Sequence, residues 1–531
     1  MPKRQIIIPL LIVAVAALFR LALLDIKPPH FDEGINGWFC DEMAKDGFYR
    51  YDPSNYHGPL HFYVLRLFLT CFGRNLWALR MPVVIVGILT VASIFLFKPF
   101  FGRAICYLAA LGMAISPAFT FYQRYAIHET WLVLFLILTF WGFLSAYSRP
   151  TPINVWVTIL SIAGLVLTKE TYIIHLLSFG LALLISWLLS RFLPPSEPIT
   201  RERAPIPWDH VAGAAVLSCF LIIFFYSGTF LNWEGVKGLI ATFSPWAKTG
   251  ADAAGHGKFT YDILPWINDL LAKVPGLSAL AKFKLNWYWI KLFLVYEPFA
   301  LVGLIFSVRY ICGGNGGLRF LAIYAAAAFL AYTVIPYKTP WCVISIAWPY
   351  FFLGAAAFVW LGQVLSRVLA IVLVAVALGY MTTKAVILNY FHYDDPKELY
   401  AYVQTFRDYN KFVDPIVDLE TLHPELRTKL KGLVLLESYF PIPWVLDDIP
   451  DIGYYAEGDE KWPKSLDADF IAALDDDSEA VEQRLSQKYF IVKFRLRDGM
   501  DPCRGYLKYD TFKALFPNRA PDFEPPAKPS E

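Results

Sequence analysis

Apolar stretches at 5–25, 77–97, 103–118, 131–147, 154–168, 172–190, 210–228, 287–307, 319–335, 342–362 and 365–386 dominate the first 386 residues. Each approaches the roughly 20 residues that a helix needs to cross a bilayer core. The segments between them carry charge, Pro and Gly, so the pattern predicts a bundle of about eleven membrane-spanning helices. A shorter apolar segment, HGPLHFYVLRLFLTCFG at 57–73, predicts an amphipathic helix on the membrane surface. Pro59 suits its first turn and Gly73 its stop. Past 387 the pattern changes. GLVLLES (432–438) and YFIVKFRL (489–496) have the composition of buried strands, whereas PKELYAYVQTFRDYN (396–410) and DSEAVEQRLSQ (477–487) predict helices. Alternating strand and helix predicts a small α/β domain over 387–518, followed by a disordered polar tail over 519–531.

Composition agrees with the pattern. The chain is 57% hydrophobic and 17% charged, against about a quarter charged in soluble proteins. Aromatic residues make up 17% and suit the headgroup region. The expected fold class is an all-α polytopic membrane bundle over 1–386 with a soluble C-terminal α/β domain. A net charge of +2 gives no support to nucleic acid as a partner. Cysteines at 40, 71, 106, 219, 312, 342 and 503 form no CxxC or metal-ligand spacing, so no disulfide framework is predicted; Cys40 with Cys503 stays open.

Basic residues set the orientation. Lys3, Arg4, Lys98, Arg103, Arg149, Arg191, Arg201, Arg203, Arg309, Arg319 and Arg367 all fall on one side if the N-terminus is cytoplasmic. The first span then reads as a retained anchor rather than a cleaved signal. Residues 26–76, 119–130, 169–171, 229–286, 336–341 and the C-terminal domain become extracytoplasmic, in a plasma (inner) membrane setting.

The conspicuous ionisable residues near membrane level all fall on that outer side. They are Asp32 and Glu33, His57 and His61, Arg124, His128 and Glu129, Lys169 and Glu170, His256 and Lys258, Glu297, and Lys338. Ionisable groups at this depth are costly and tend to face a shared cavity or a partner. Arg124, Lys169, Lys258 and Lys338 could hold an anion such as a lipid phosphate. Asp32, Glu33 and Glu129 could take a proton from an attacking hydroxyl. Each has a plainer alternative. The two acids could cap a helix, with Trp38 and Phe39 as membrane-surface anchors. Arg124 could be a structural lock, Lys338 could mark a rigid turn and Glu297 could need only a local partner. His57 and His61 have the i, i+4 spacing of a metal pair, but Gly58 stands where a zinc-protease helix carries Glu, so no metal site is predicted. ICGGNGG lacks the Lys-Ser/Thr of a phosphate loop.

Four stretches carry a family resemblance: FDEG after the first span, YHGPLHFY followed by NLWALRMP, SPAFTFYQRYAIHE, and TKETY. Together with YEP and PYKTPW they resemble the GT-C superfamily of integral-membrane glycosyltransferases. The pattern is similar to protein O-mannosyltransferase and aminoarabinose transferase relatives, and most similar to the flippase-activity-associated branch. The resemblance covers roughly 5–345. It implies a polyprenyl-phosphate-linked sugar as donor and an aspartate base at the position of Asp32. It implies a second-loop acid at Glu129, and Arg124 and Lys169 near the donor phosphate. The long connection from GHGK to YEP departs from the family pattern and leaves the parts of His256 and Lys258 open. The expected function is inverting sugar transfer to a hydroxyl acceptor on the extracytoplasmic face. The alternative is a non-catalytic protein that binds lipid-linked sugars or assists their flipping. Partners are the lipid-linked sugar, membrane lipid and an acceptor of unspecified class. No cofactor is expected, with a divalent cation at Asp32 left open.

Overall fold

The computed structural model describes residues 4–202, 204–251, 273, 288–456 and 462–526. Two compact units emerge, one of Met1–Leu24 and Glu42–His392, the other of Asp25–Asp41 and Tyr393–Glu531.

The first unit is helical, and every apolar stretch named above lies on a helix. Seven helices among the described residues are long and apolar enough to cross a bilayer. The breaks between them follow local chemistry. The Asn75, Ser116, Thr151, Asn315 and Ser366 side chains each accept from a backbone N–H in the first turn of the helix that follows. These caps satisfy donors that no helix can satisfy internally. Asn315 explains ICGGNGG, which turns one helix into the next. The stretch 287–307 is split at Glu297 into Tyr288–Tyr296 and Pro298–Gly313. The span Pro340–Val364 is buried at every position from Val343 to Phe358 and forms the centre of the bundle, whereas Trp208–Tyr226 buries only Ala214, Ser218 and Tyr226. Phe140 ties this centre together, stacking on Phe320 at 4.7 Å and meeting Trp348 edge-on at 5.6 Å.

The surface helix spans Leu60–Phe72 with Pro59 before it and Gly73 after it at φ 83°. His61, Phe62, Leu65 and Leu69 form its buried face.

The second unit holds a five-stranded sheet. Its strands are β1 (Lys431–Leu435), β2 (Asp451–Tyr455), β3 (Phe470–Leu474), β4 (Tyr489–Phe494) and β5 (Cys503–Lys508), in the order β2-β1-β3-β5-β4. β1 runs parallel to β2 and β3, while β5 is antiparallel to β3 and β4. The helix Asn410–Leu422 covers one face, with Phe412 stacked on Phe494 at 5.2 Å. Cys40 and Cys503 are both buried, and no disulfide joins them.

Three expectations need correction here. The helix foreseen over 396–410 starts only at Asn410. Asp395 accepts from the Lys397 N–H, and the Asp394 carboxylate takes the backbone and guanidinium of Arg407. Such side-chain bonds compete with helix formation. The tail is ordered as far as it is described. β4 is a sheet edge, and its open backbone pairs with Phe523 while Asp522 accepts from the Ile491 N–H. Finally, 25–41 joins the C-terminal domain rather than the membrane bundle. Trp38 meets Phe440 at 6.4 Å, and a Cβ on Gly37 would lie 2.3 Å from Trp444 Cδ1. Trp38 is thus a packing residue of the small domain.

Candidate functional site

In the helical unit, one close backbone approach builds the site. The Gly58 N–H donates to the Thr168 carbonyl at 3.0 Å, and His57 and Lys169 form an antiparallel bridge. A Cβ on Gly58 would sit 2.3 Å from the Leu167 carbonyl oxygen. Only glycine lets the start of the surface helix lie this close to the end of the helix Pro152–Thr168.

The bridge brings charge together. The Lys169 ammonium donates to Glu129 Oε1, with both side chains buried. Burial opposes charge on Lys169, but the Glu129 and Glu170 carboxylates outweigh it and hold the ammonium well above the usual lysine range. His57 Nδ1 lies 2.9 Å from Glu170 Oε2. Burial pushes the Glu170 carboxyl up, yet His57 and Lys169 together pull it below its ordinary value.

Three imidazoles pack at tilted angles beside this pair. His128 lies 4.6 Å from His57 and 4.2 Å from His61 by ring centroids. The Trp131 indole N–H donates to His61 Nδ1 at 3.1 Å, and His61 Nε2 faces the Ala126 carbonyl at 3.1 Å. An indole only donates, so His61 is neutral with its proton on Nε2. Both nitrogens are committed, which answers the metal-pair spacing. Burial pushes the His128 imidazole well below its ordinary value, and the Lys169 charge adds to that.

This cluster borders a cavity of about 410 Å³. His57, Lys169, Glu170 and Thr171 supply polar groups, and Tyr56, Trp246, Trp289, Tyr332 and Trp341 supply aromatic walls. A cation, a carboxylate–imidazole pair and aromatic faces suit a ligand with an anionic group beside an amphipathic ring or chain.

In the second unit, Asp32 and Glu33 lie in the first turn of the helix Phe31–Asp46. Glu33 Oε2 accepts from the His30 N–H at 2.9 Å, and the Asp32 N–H donates to His30 Nδ1 at 3.1 Å. This reciprocal cap accounts for buried Glu33. Asp32 is partly exposed. Its charge favours the guanidinium of Arg497, which burial otherwise pushes down to about 10. Arg497 donates to the carbonyls of Phe440 and Ser438, both at 3.0 Å, and stands 4.3 Å over the Phe31 ring.

A family model described as dolichyl-phosphate-mannose-protein mannosyltransferase matches residues 56–224, which include His57, Glu129, Lys169 and Glu170. Two solved structures extend the likeness. ArnT from Cupriavidus metallidurans, bound to undecaprenyl phosphate, aligns over 93% of this chain and 97% of its own, with TM-score 0.56 and 13% identity. The Archaeoglobus fulgidus oligosaccharyltransferase, in complex with Zn and sulfate, aligns over 92% and 73%, with TM-score 0.54 and 11% identity. The chain shares its fold with these two solved structures. No curated protein matches the chain.

Within the helical unit, not every expected site residue reaches the cavity. His57 and Lys169 line it, Glu129 stands directly behind Lys169, and His61 lies beyond His128, which packs on His57. Arg124 is spent elsewhere: it donates to the carbonyls of Phe19 (3.0 Å) and Leu23 (2.5 Å) and to the Tyr390 hydroxyl (3.0 Å). It closes the C-terminal end of the first helix, whose carbonyls lack partners. Glu297 Oε1 accepts from the Ser116 hydroxyl at 2.8 Å and the Ala118 N–H at 2.7 Å, capping the short helix Pro117–Tyr122. Lys338 lies between cavity residues Tyr337 and Thr339, but its ammonium donates to the carbonyls of Tyr332, Thr333 and Ile335 at the end of Gly316–Val334. A helix C-terminus favours a cation there. His256 and Lys258 lie outside the described residues. Glu170 and His128 belong to the outer-side set of ionisable residues, but sequence alone assigns neither a part in the site. The signal for both was their adjacency to Lys169 and Glu129. Nothing local could have flagged Trp246, Trp341 or Arg497.

Proposed function

We propose that the protein transfers a sugar from a polyprenyl-phosphate donor to a hydroxyl acceptor, at the extracytoplasmic face of a plasma (inner) membrane with the N-terminus cytoplasmic. One observation carries the reading: a buried lysine, kept charged by its neighbours, lines an aromatic-walled cavity in a GT-C bundle. Lys169 would hold the donor phosphate, and the aromatic walls would receive the sugar ring and the first prenyl units. The ArnT structure with undecaprenyl phosphate supports a prenyl-phosphate ligand for this fold.

Asp32 is the proposed base, on the strength of its position in FDEG. Glu33 is occupied as a cap and Glu129 as the partner of Lys169. The acceptor oxygen would attack the anomeric carbon in a single displacement, inverting it while the phosphate departs. The test is transfer from a panel of polyprenyl-phosphate sugars by the purified chain in nanodiscs. Asp32→Asn should bind donor and lose about 10²- to 10⁴-fold in turnover. Lys169→Met combined with Glu129→Gln should weaken donor binding itself. Full turnover by Asp32→Asn removes the base assignment. Donor binding without turnover by the wild type leaves a lipid-linked-sugar binding protein instead.

A further inference from the structure

His57 stands apart from its neighbours in the imidazole cluster. His61 and His128 are buried at 0% and 2% exposure, whereas the His57 side chain is 25% exposed and lines the cavity. Its Nδ1 is held by Glu170, a carboxylate that is itself buried. An ionised carboxylate only accepts, so the proton of a neutral His57 sits on Nδ1 and Nε2 is left for the cavity. Among the described residues no hydrogen bond to Nε2 is found. The backbone bridge pairs His57 with Lys169, whose ammonium would hold the donor phosphate.

We propose that His57, oriented by Glu170, is a general acid that protonates the phosphate as it leaves the sugar. This rests on the transfer reading above. The donor is a phosphodiester with one negative charge. When its bond to the anomeric carbon breaks, the electron pair stays on the phosphate oxygen and the product is a monoester. The second ionisation of such a monoester lies near about 6. Imidazole is the side chain that titrates across that same range, and matched acidities make proton transfer effective. The Nε2 proton moves to the departing oxygen, a new bond joins the anomeric carbon to the acceptor oxygen, and the acceptor's proton goes to the base. One proton enters and one leaves, so atoms and charge balance without a further reactant.

The charged and titratable groups around the ring agree with this task. Glu170 is bonded to the ring at Nδ1, and the Lys169 charge is itself balanced by Glu129. His128 is held neutral by burial and adds no charge, with His61 beyond it, and Tyr56 meets the ring edge-on at 5.0 Å. A purely structural His57–Glu170 lock would need no open nitrogen at a cavity.

The experiment is a pH profile of kcat and KM with a polyprenyl-phosphate sugar. Wild-type kcat should fall as pH rises through the imidazole range. His57→Gln should remove that limb and lower kcat about 10²-fold or more with little change in donor KM. Glu170→Gln should retain the limb but move it to lower pH, because the imidazolium has lost its carboxylate. That shift is not expected of a residue that merely holds the fold. An unchanged limb in His57→Gln, or an unshifted one in Glu170→Gln, overturns the proposal. Undecaprenyl phosphate binding separates the two readings. A wild type that binds it and transfers no sugar overturns the transfer reading and the protonation step together. Active wild type with an unaltered limb in His57→Gln overturns the protonation step alone.

Discussion

The Lys169 ammonium is paired with the Glu129 carboxylate although each residue is at least nine-tenths buried. Removing one partner from such a pair strands a charge in a poorly solvated place. Glu129→Gln should therefore lower stability by about 3–5 kcal/mol. The double variant Lys169→Met/Glu129→Gln should recover part of that loss, because no ion is left unpaired. Thermal unfolding in detergent reads both. Equal destabilisation by the single and the double variant would show that packing, not charge, sets the cost.

Gly58 makes a separate, purely steric prediction. Its missing side chain is what allows the His57–Lys169 bridge, since a Cβ would press on the Leu167 carbonyl at 2.3 Å. Gly58→Ala should cost about 1–3 kcal/mol, as overpacking does elsewhere. It should also separate His57 from Glu170, so donor turnover should fall more than the loss of folded protein explains. Gly47→Ala is the control. Its φ of 82° strains a side chain, but nothing lies within 4 Å, and turnover should be preserved. Equal turnover in both variants would disconnect the glycine from the site.

What the sequence revealed follows from the range over which each signal acts. Spans, caps and the surface helix come from residues close together, so Pro59 and Gly73 marked their helix correctly. The outer-face acids and cations were also visible as a set, and His57, His61, Glu129 and Lys169 do gather. Arg124 and Glu297 looked alike in composition, but their environment differs. Helix ends nearby offered unsatisfied carbonyls and N–H groups, which absorbed them. The helix foreseen over 396–410 failed because Asp394 and Asp395 offer the backbone a better local partner. The pairing of FDEG with the C-terminal domain depends on Arg497 and Trp444, which no local pattern connects to Phe31 or Gly37.

Arg497 is the anchor of the FDEG helix within its unit, and its geometry makes lysine a poor substitute. The guanidinium donates to two carbonyls and to the Ser438 hydroxyl while stacking on Phe31. Lysine keeps the charge but offers neither the fork nor the flat face. Arg497→Lys should lose about 2–3 kcal/mol of local stability. Hydrogen exchange should accelerate in residues 31–41 and stay unchanged in the helix Glu129–Ser148. Unaltered exchange in 31–41 would remove Arg497 from that role.

Acid should destabilise the helical unit in two separate windows. His128 folds with its imidazole held well below the ordinary value of 6.5, burial being the main cause. Below pH 6.5 the unfolded chain takes up a proton there that the folded chain refuses, so stability falls as pH drops, by at most about 1.4 kcal/mol per pH unit. Glu170 has the opposite character. Its folded carboxyl titrates below the ordinary 4.5, so its contribution is complete above pH 4.5 and is lost as pH falls through the folded value. Between pH 6.5 and 4.5 the His128 effect therefore acts without the Glu170 effect. His128→Gln should flatten the stability profile in that interval and leave the steeper loss below pH 4.5 in place. Glu170→Gln should do the reverse. Melting curves at closely spaced pH values distinguish them, and parallel profiles for wild type and His128→Gln would mean that His128 is already protonated in the folded protein.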